Sequence, residues 1–153
     1  MKITDFLSAE MVIPRLQGRT KTAVIREMAE WLARSVREID VEKLVGVLLE
    51  REKIGSTAIG EGVAIPHGKL AEIDRVRGVF GRSPEGVDFD SIDGCRTHLF
   101  FLLVAPENSP GDHLKALARI SRLLQDAQFR ARLMKAESGP ELFDAIKAED
   151  DKV

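Results

Sequence analysis

One cysteine, Cys95, is the chain's whole supply of thiol, so no internal disulfide can form and the fold must hold by burial alone. Length and composition allow that: 153 residues, 44% of them hydrophobic, can bury roughly 68–70% of the unfolded surface without a metal or a cross-link. An excess of one charge is also lacking. With 23 basic and 25 acidic side chains, a formal charge of −2 and a pI near 6.0, the chain has none of the basic surplus of nucleic-acid or anionic-membrane binders. The longest apolar run, Leu99 to Ala105, falls far short of the roughly 20 residues that span a bilayer. Met1 to Ser8 lacks the basic stretch and apolar core of a secretory leader. A lone thiol and no leader fit a reducing, cytoplasmic setting. No repeat, linker or low-complexity tract divides the chain, so residues 1–153 are expected to form a single domain, ordered over roughly 3–148 with 149–153 frayed.

Periodicity predicts helices at the two ends and strands between them. Thr20 to Val36 carries Val24, Met28, Trp31 and Leu32 on one stripe, with Trp31 assigned to the core. Asp40 is the expected N-cap of a second helix with Val41, Leu44 and Leu48 inward, running into the charged segment Glu50-Arg51-Glu52-Lys53. Between Gly55 and Gly68, glycines surround Val63-Ala64-Ile65, which reads as a loop, a short buried strand and a turn at Pro66-His67-Gly68. Arg75 to Arg82 reads as a strand, Asp88 to Gly94 as a turn, and Leu99 to Ala105 as a central strand covered on both faces. Asp112 is the expected cap of a helix with Leu114, Leu117, Ile120, Ser121 and Leu124 inward, followed by a short helix over Gln128 to Lys135. Ser138 with Glu141 forms the capping-box pattern of a last helix. The fold class is therefore α/β: a mixed sheet flanked by helices on both faces.

The glycine-rich stretch Gly55 to Gly62 is the first place to look for a ligand, because glycine permits sharp turns and close approach. It is not a Walker A loop, since Gly62 and Gly68 enclose one residue too many and Lys69 is followed by Leu70. A dinucleotide fingerprint fails at Ile65, where a small residue is needed. The three histidines, His67, His98 and His113, stand in no metal-binding spacing, and no Gly-x-Ser-x-Gly elbow offers a nucleophilic serine. No metal or cofactor is expected. His67 stands out because it follows a buried strand between Pro66, which fixes the chain, and Gly68, which leaves the ring uncrowded. Imidazole is largely neutral near pH 7 and nucleophilic, and it leaves readily from phosphorus.

Arg51-Glu-Lys-Ile-Gly-Ser-Thr-Ala-Ile-Gly-Glu-Gly-Val-Ala-Ile-Pro-His-Gly-Lys69 resembles the active-site signature of the enzyme IIA components of fructose/mannitol-class bacterial phosphotransferase systems, most closely the nitrogen-regulatory branch. Val87 to Gly94, the Leu99 to Ala105 strand and Asp112 to Ser121 extend the resemblance over nearly the whole chain. It implies the mannitol/fructose-type IIA fold. It also implies that His67 accepts a phosphoryl group on Nε2 from a small phosphocarrier of the HPr/NPr type, with Arg51 and His113 beside the ring. Ser56, Thr57 and Gly68 are further binding candidates, the two hydroxyls as donors or only as shapers of the turn. One departure is Ala58, where the nitrogen-type signature has glycine.

A loose phosphoryl-transfer transition state is helped mainly by positioning and by cationic or hydrogen-bonding neighbours, which suits this trio. Taken alone, Arg51 and His113 are also ordinary helix-end residues, and His98 reads as packing or surface. Asp112 to Lys135 holds six basic and two acidic side chains, either a solvated face or a dock for an acidic partner. Two functions follow from the resemblance. One is a regulator whose phosphorylation switches partner binding; the other is a sugar-uptake component that hands the phosphoryl group to a separate IIB protein. Nucleic-acid binding and membrane insertion are not expected.

Overall fold

The computed structural model describes all 153 residues. Two short 3-10 turns, Ile3–Asp5 and Ala9–Met11, lead into a two-residue strand, β1 (Val12–Ile13). Helices α1 (Lys21–Ser35) and α2 (Val41–Ile54) follow, then strands β2 (Ala58–Gly60), β3 (Val63–Ala64), β4 (His67–Leu70), β5 (Arg77–Val87) and β6 (Thr97–Pro106). Helices α3 (Pro110–Leu124), α4 (Ala127–Lys135) and α5 (Gly139–Asp151) close the chain. The sheet is mixed, in the order β1-β5-β6-β3-β2, with β4 also on β6. β6 is central, antiparallel to β5 and parallel to β3 and β4. Its unbroken apolar run is covered on both faces, as its sequence requires.

β3 and β4 act as one strand interrupted at Ile65-Pro66. Ala64 pairs with Phe100 and His67 with Leu103, so the register carries straight across the gap. Pro66 has no N–H for the ladder, but its carbonyl still accepts from Leu103 N at 2.9 Å. His67 therefore opens a strand; the expected turn at 66–68 is absent. Side chains alternate along β4. A Cβ on Gly68 would lie 2.6 Å from Val47 Cγ1 of α2, whereas the His67 ring meets His113 of α3, so helices cover both faces.

The caps anticipated at Asp40 and Ser138 are present, and Thr20 caps α1 in the same way: each side chain accepts from backbone N–H of the first turn. Four expectations need correction. α3 starts after Ser109, with Pro110 in its first turn, and Asp112 lies inside the helix. Its buried stripe is His113, Ala116, Ile120, Leu123 and Leu124, while Leu114 is 69% exposed. Trp31 is only partly buried, and its indole N–H donates to the Glu10 carbonyl at 2.7 Å. The segment expected to fray from 149 continues α5 as far as Asp151, because Asp150 is fully buried. The Asp150 carboxylate accepts from Ile3 N at 2.8 Å and from Arg119 Nε at 2.6 Å.

Charge pairing accounts for much of the basic α3–α4 region. Arg119 pairs with Asp150, Arg132 with Glu149 and Arg130 with Glu61. The acidic-dock reading thus loses three of its arginines to partners within the chain.

Candidate functional site

The site lies where β4, α2 and α3 converge. His67, at the head of β4, is partly buried, and its Nδ1 lies 2.7 Å from the Ile65 carbonyl oxygen. A carbonyl can only accept, so Nδ1 carries the proton and donates, which leaves Nε2 as the unprotonated, nucleophilic nitrogen. Burial lowers the pKa of His67 below that of free imidazole. The Ile65 bond opposes this shift, the Arg51 charge adds to it, and the Glu52 charge opposes it. The ring is consequently neutral at pH 7.

His113 is held in the first turn of α3, where its N–H donates to the Ser109 carbonyl at 3.2 Å. The ring is 5% exposed and meets His67 edge-to-face, with centroids 5.5 Å apart and planes at 78°. Its Nε2 is buried and has no partner in the protein. Burial lowers its pKa; His67, whenever it is protonated, and the Lys69 charge lower it further. Arg51, in the last turn of α2, donates from Nη1 to the Gly55 carbonyl at 2.8 Å. A guanidinium has five N–H donors, so the rest of its fork remains available. The structure thus brings His67 and His113 into contact and puts the Arg51 charge within electrostatic reach.

The other three candidates have different tasks. Ser56 Oγ donates to the Phe89 carbonyl at 2.6 Å, and Thr57 Oγ1 donates to the Glu52 carboxylate. Neither hydroxyl is left to donate to a ligand; both shape the loop. Gly68 does not clear space for the imidazole. It lets α2 lie close on the other side of the sheet, where any side chain would strike Val47.

The glycine-rich segment forms the β2–β3 hairpin, whose turn Gly60-Glu61-Gly62 has positive φ at all three residues: 93°, 57° and 77°. Glycine relieves that conformation at two positions; Glu61 is held by its N–H, which donates to Asp93 at 3.0 Å. Asp93 also accepts from Ser91 and Cys95, and these bonds hold its carboxyl down to about 2. Ala58 is not among the positive-φ residues, so this departure from the signature needs no glycine. Periodicity does not reveal Glu52, because it stands in a charged run that reads as a solvated helix end. No group of three or more His, Cys, Asp or Glu is placed to hold a metal ion, and no helix is long and apolar enough to cross a membrane.

Residues 5–149 match the family described as phosphoenolpyruvate-dependent sugar phosphotransferase system, EIIA 2. The chain belongs to this EIIA 2 family. It is thus a phosphoryl carrier of the phosphotransferase type. A nitrogen regulatory protein of Bradyrhizobium diazoefficiens is 40% identical, over 95% of this chain and 95% of that protein. The fructose-specific EIIABC component of Bacillus subtilis is 39% identical over 98% of this chain, but the match spans 24% of that protein. Among solved structures, the nitrogen regulatory protein IIA-Ntr of Neisseria meningitidis superposes with a TM-score of 0.88 at 32% identity, covering 94% of this chain and 98% of that one. The expected IIA fold is therefore observed.

Proposed function

We propose that this EIIA 2 protein accepts a phosphoryl group on His67 Nε2 from an HPr/NPr-type phosphocarrier and acts as a nitrogen-type regulator through phosphorylation-dependent partner binding. The observation that carries the reading is the His67 Nδ1–Ile65 bond, which leaves the Nε2 lone pair of a neutral imidazole free in a ring that lies against His113. The carrier's N–P bond breaks as the Nε2–P bond forms, and the departing imidazole nitrogen keeps the electron pair. His67 retains its Nδ1 proton throughout. The phosphorylated ring is then cationic, and the Ile65 carbonyl stabilises that charge. Arg51 and the unpartnered Nε2 of His113, when it bears a proton, supply donors to the phosphoryl oxygens.

Two exposed apolar residues stand close to these groups in the chain: Ile54, three residues after Arg51 on α2, and Leu114, next to His113 on α3. Exposed apolar side chains of this kind suit the docking of a carrier in the cytoplasm. Regulation is favoured by the 40% relative, whose match spans 95% of both chains. Transfer to a separate IIB protein is the second reading, favoured by the 39% identity to the fructose-specific component.

Incubation with carrier, its autophosphorylating first enzyme and phosphoenolpyruvate should label the protein once, through a bond stable in alkali and labile in acid. His67→Ala should abolish it; full labelling of that variant would overturn the assignment. Pull-downs with enzymatically phosphorylated and His67→Ala baits separate the two readings. Targets retained by one bait alone support regulation. Recovery of only carrier and a IIB protein, equally on both, supports sugar transport.

A further inference from the structure

Beneath the two histidines lies a polar cluster that transfer chemistry does not itself require. Glu52 is 8% exposed, and a buried carboxylate is costly unless its oxygens are satisfied. It accepts from Thr57 N at 3.1 Å, from Thr57 Oγ1, and from Lys21 Nζ at 2.8 Å. Lys21 is itself largely buried, with its ammonium 4.9 Å from the Phe89 ring centroid. The connections continue upward. The Thr57 carbonyl accepts from Ile65 N at 3.0 Å, and the Ile65 carbonyl accepts from His67 Nδ1 at 2.7 Å. An unbroken path of hydrogen bonds therefore runs from Lys21 through Glu52, Thr57 and Ile65 to the imidazole. Ser56 pins the other side of the same loop to the Phe89 carbonyl.

Buried ion pairs add little net stability compared with well-packed apolar residues, so stability alone is a weak reason for this one. Its geometric consequence is specific. Fixing Thr57 fixes the backbone of Ile65 in the gap between β3 and β4, and the Ile65 carbonyl decides which ring nitrogen of His67 holds the proton. If that carbonyl drifts, the ring can take the other tautomer, in which Nε2 is protonated and has no lone pair to attack phosphorus.

We propose that Glu52 is a positioning residue for phosphoryl acceptance: through Thr57 and Ile65 it keeps the proton on His67 Nδ1 and Nε2 free. The inference rests on His67 as the acceptor and deepens that reading. Lys21 balances the buried charge, and Thr57 transmits the constraint.

The test uses the full chain labelled with 15N. Long-range 1H–15N spectra, recorded before any phosphoryl donor is added, report the His67 tautomer. Rapid-quench labelling by phosphorylated carrier gives the saturating rate and the half-saturating carrier concentration. Wild type should show the Nδ1–H form alone. Glu52→Ala should show a mixture with the Nε2–H form and a saturating rate lower by about 10- to 100-fold, by analogy with the span seen when the group orienting a metal-bound imidazole is removed. Its half-saturating concentration should be unchanged. Glu52→Gln, which keeps an acceptor for Thr57, should recover most of the Nδ1–H form and most of the rate. A folded Glu52→Ala protein with the wild-type tautomer and rate would overturn the proposal, as would a loss confined to half-saturation. If Glu52→Ala does not fold, Thr57→Val, which lacks the hydroxyl but keeps the N–H, should shift the tautomer and rate in the same direction, and no shift there overturns the proposal. Labelling of wild type at another residue would instead overturn the acceptor assignment, which the tautomer spectra do not depend on.

Discussion

Replacing His113 by leucine should move stability and rate in opposite directions. In the resting protein the ring is 5% exposed and its Nε2 is buried without a partner. A buried polar atom left unsatisfied costs about 1–3 kcal/mol. Leucine removes that atom and keeps an apolar body facing His67, and some of the gain is lost to the change of shape. A net stabilisation of about 1 kcal/mol is expected, which for a domain of this size raises Tm by roughly 2–4 °C. The same substitution deletes a preorganised donor to the transferred group, worth about 10²- to 10³-fold in rate, or roughly 2.7–4 kcal/mol of barrier. Calorimetry at pH 7.5 and rapid-quench transfer from phosphorylated carrier measure the two quantities on one preparation. A leucine variant that transfers at the wild-type rate would refute the donor role. One that melts lower than wild type would refute the assignment of an unsatisfied Nε2.

Further outcomes follow from the same geometry. Arg51→Ala should slow transfer by about 10²-fold with an unchanged circular dichroism spectrum, read in the same quench assay. Because His67 and His113 both titrate below the ordinary imidazole value, the fall in the rate of phosphoryl acceptance as pH drops should be centred lower than for a free imidazole, read as a pH–rate profile in the same assay. Stability follows the same sign. The unfolded chain takes up protons first, so the free energy of unfolding should be full above about pH 6.5 and fall as pH drops through the lowered folded values, as urea titrations at several pH values would show. Gly68→Ala should destabilise by about 1–3 kcal/mol, because its Cβ would lie 2.6 Å from Val47 Cγ1. Val47→Ala in the same chain should restore part of that loss, a coupling visible in a double-mutant denaturation cycle.

The helices were legible from their periodicity and the two long strands from their apolar stretches, although β5 continues to Val87, beyond the Arg82 where its apolar patch ends. Asp40 and Ser138 announced their helices by cap chemistry, whereas the cap at Thr20 was not singled out. Strands β1, β2 and β4 were hidden for a tertiary reason: two to four residues carry no period, and they become strands only by pairing with β5, β3 and β6. α3 was misphased because its buried stripe opens on a histidine. Hydrophobicity alone slid the inward face onto Leu114, although Pro110 after Ser109 already marked the true start. His67 drew notice from its setting, and the wider signature brought Arg51 and His113 with it. Glu52 was invisible, since a carboxylate in a charged run reads as solvated, and only the return of Lys21 and Thr57 in space shows that it is enclosed.

The chain's first and last turns are stapled together. Lys2 reaches Asp151, and Ile3 binds the buried carboxylate of Asp150. A domain whose entry and exit points coincide can be threaded into a longer polypeptide through one place on its surface, because neither flanking segment has to travel around it. It can also be reopened elsewhere: a short bridge between the two ends, with a new start cut into the exposed 91–94 loop, should yield a permuted chain with the same sheet order. Such portability suits a module that matches one protein along 95% of its length and another along only 24%.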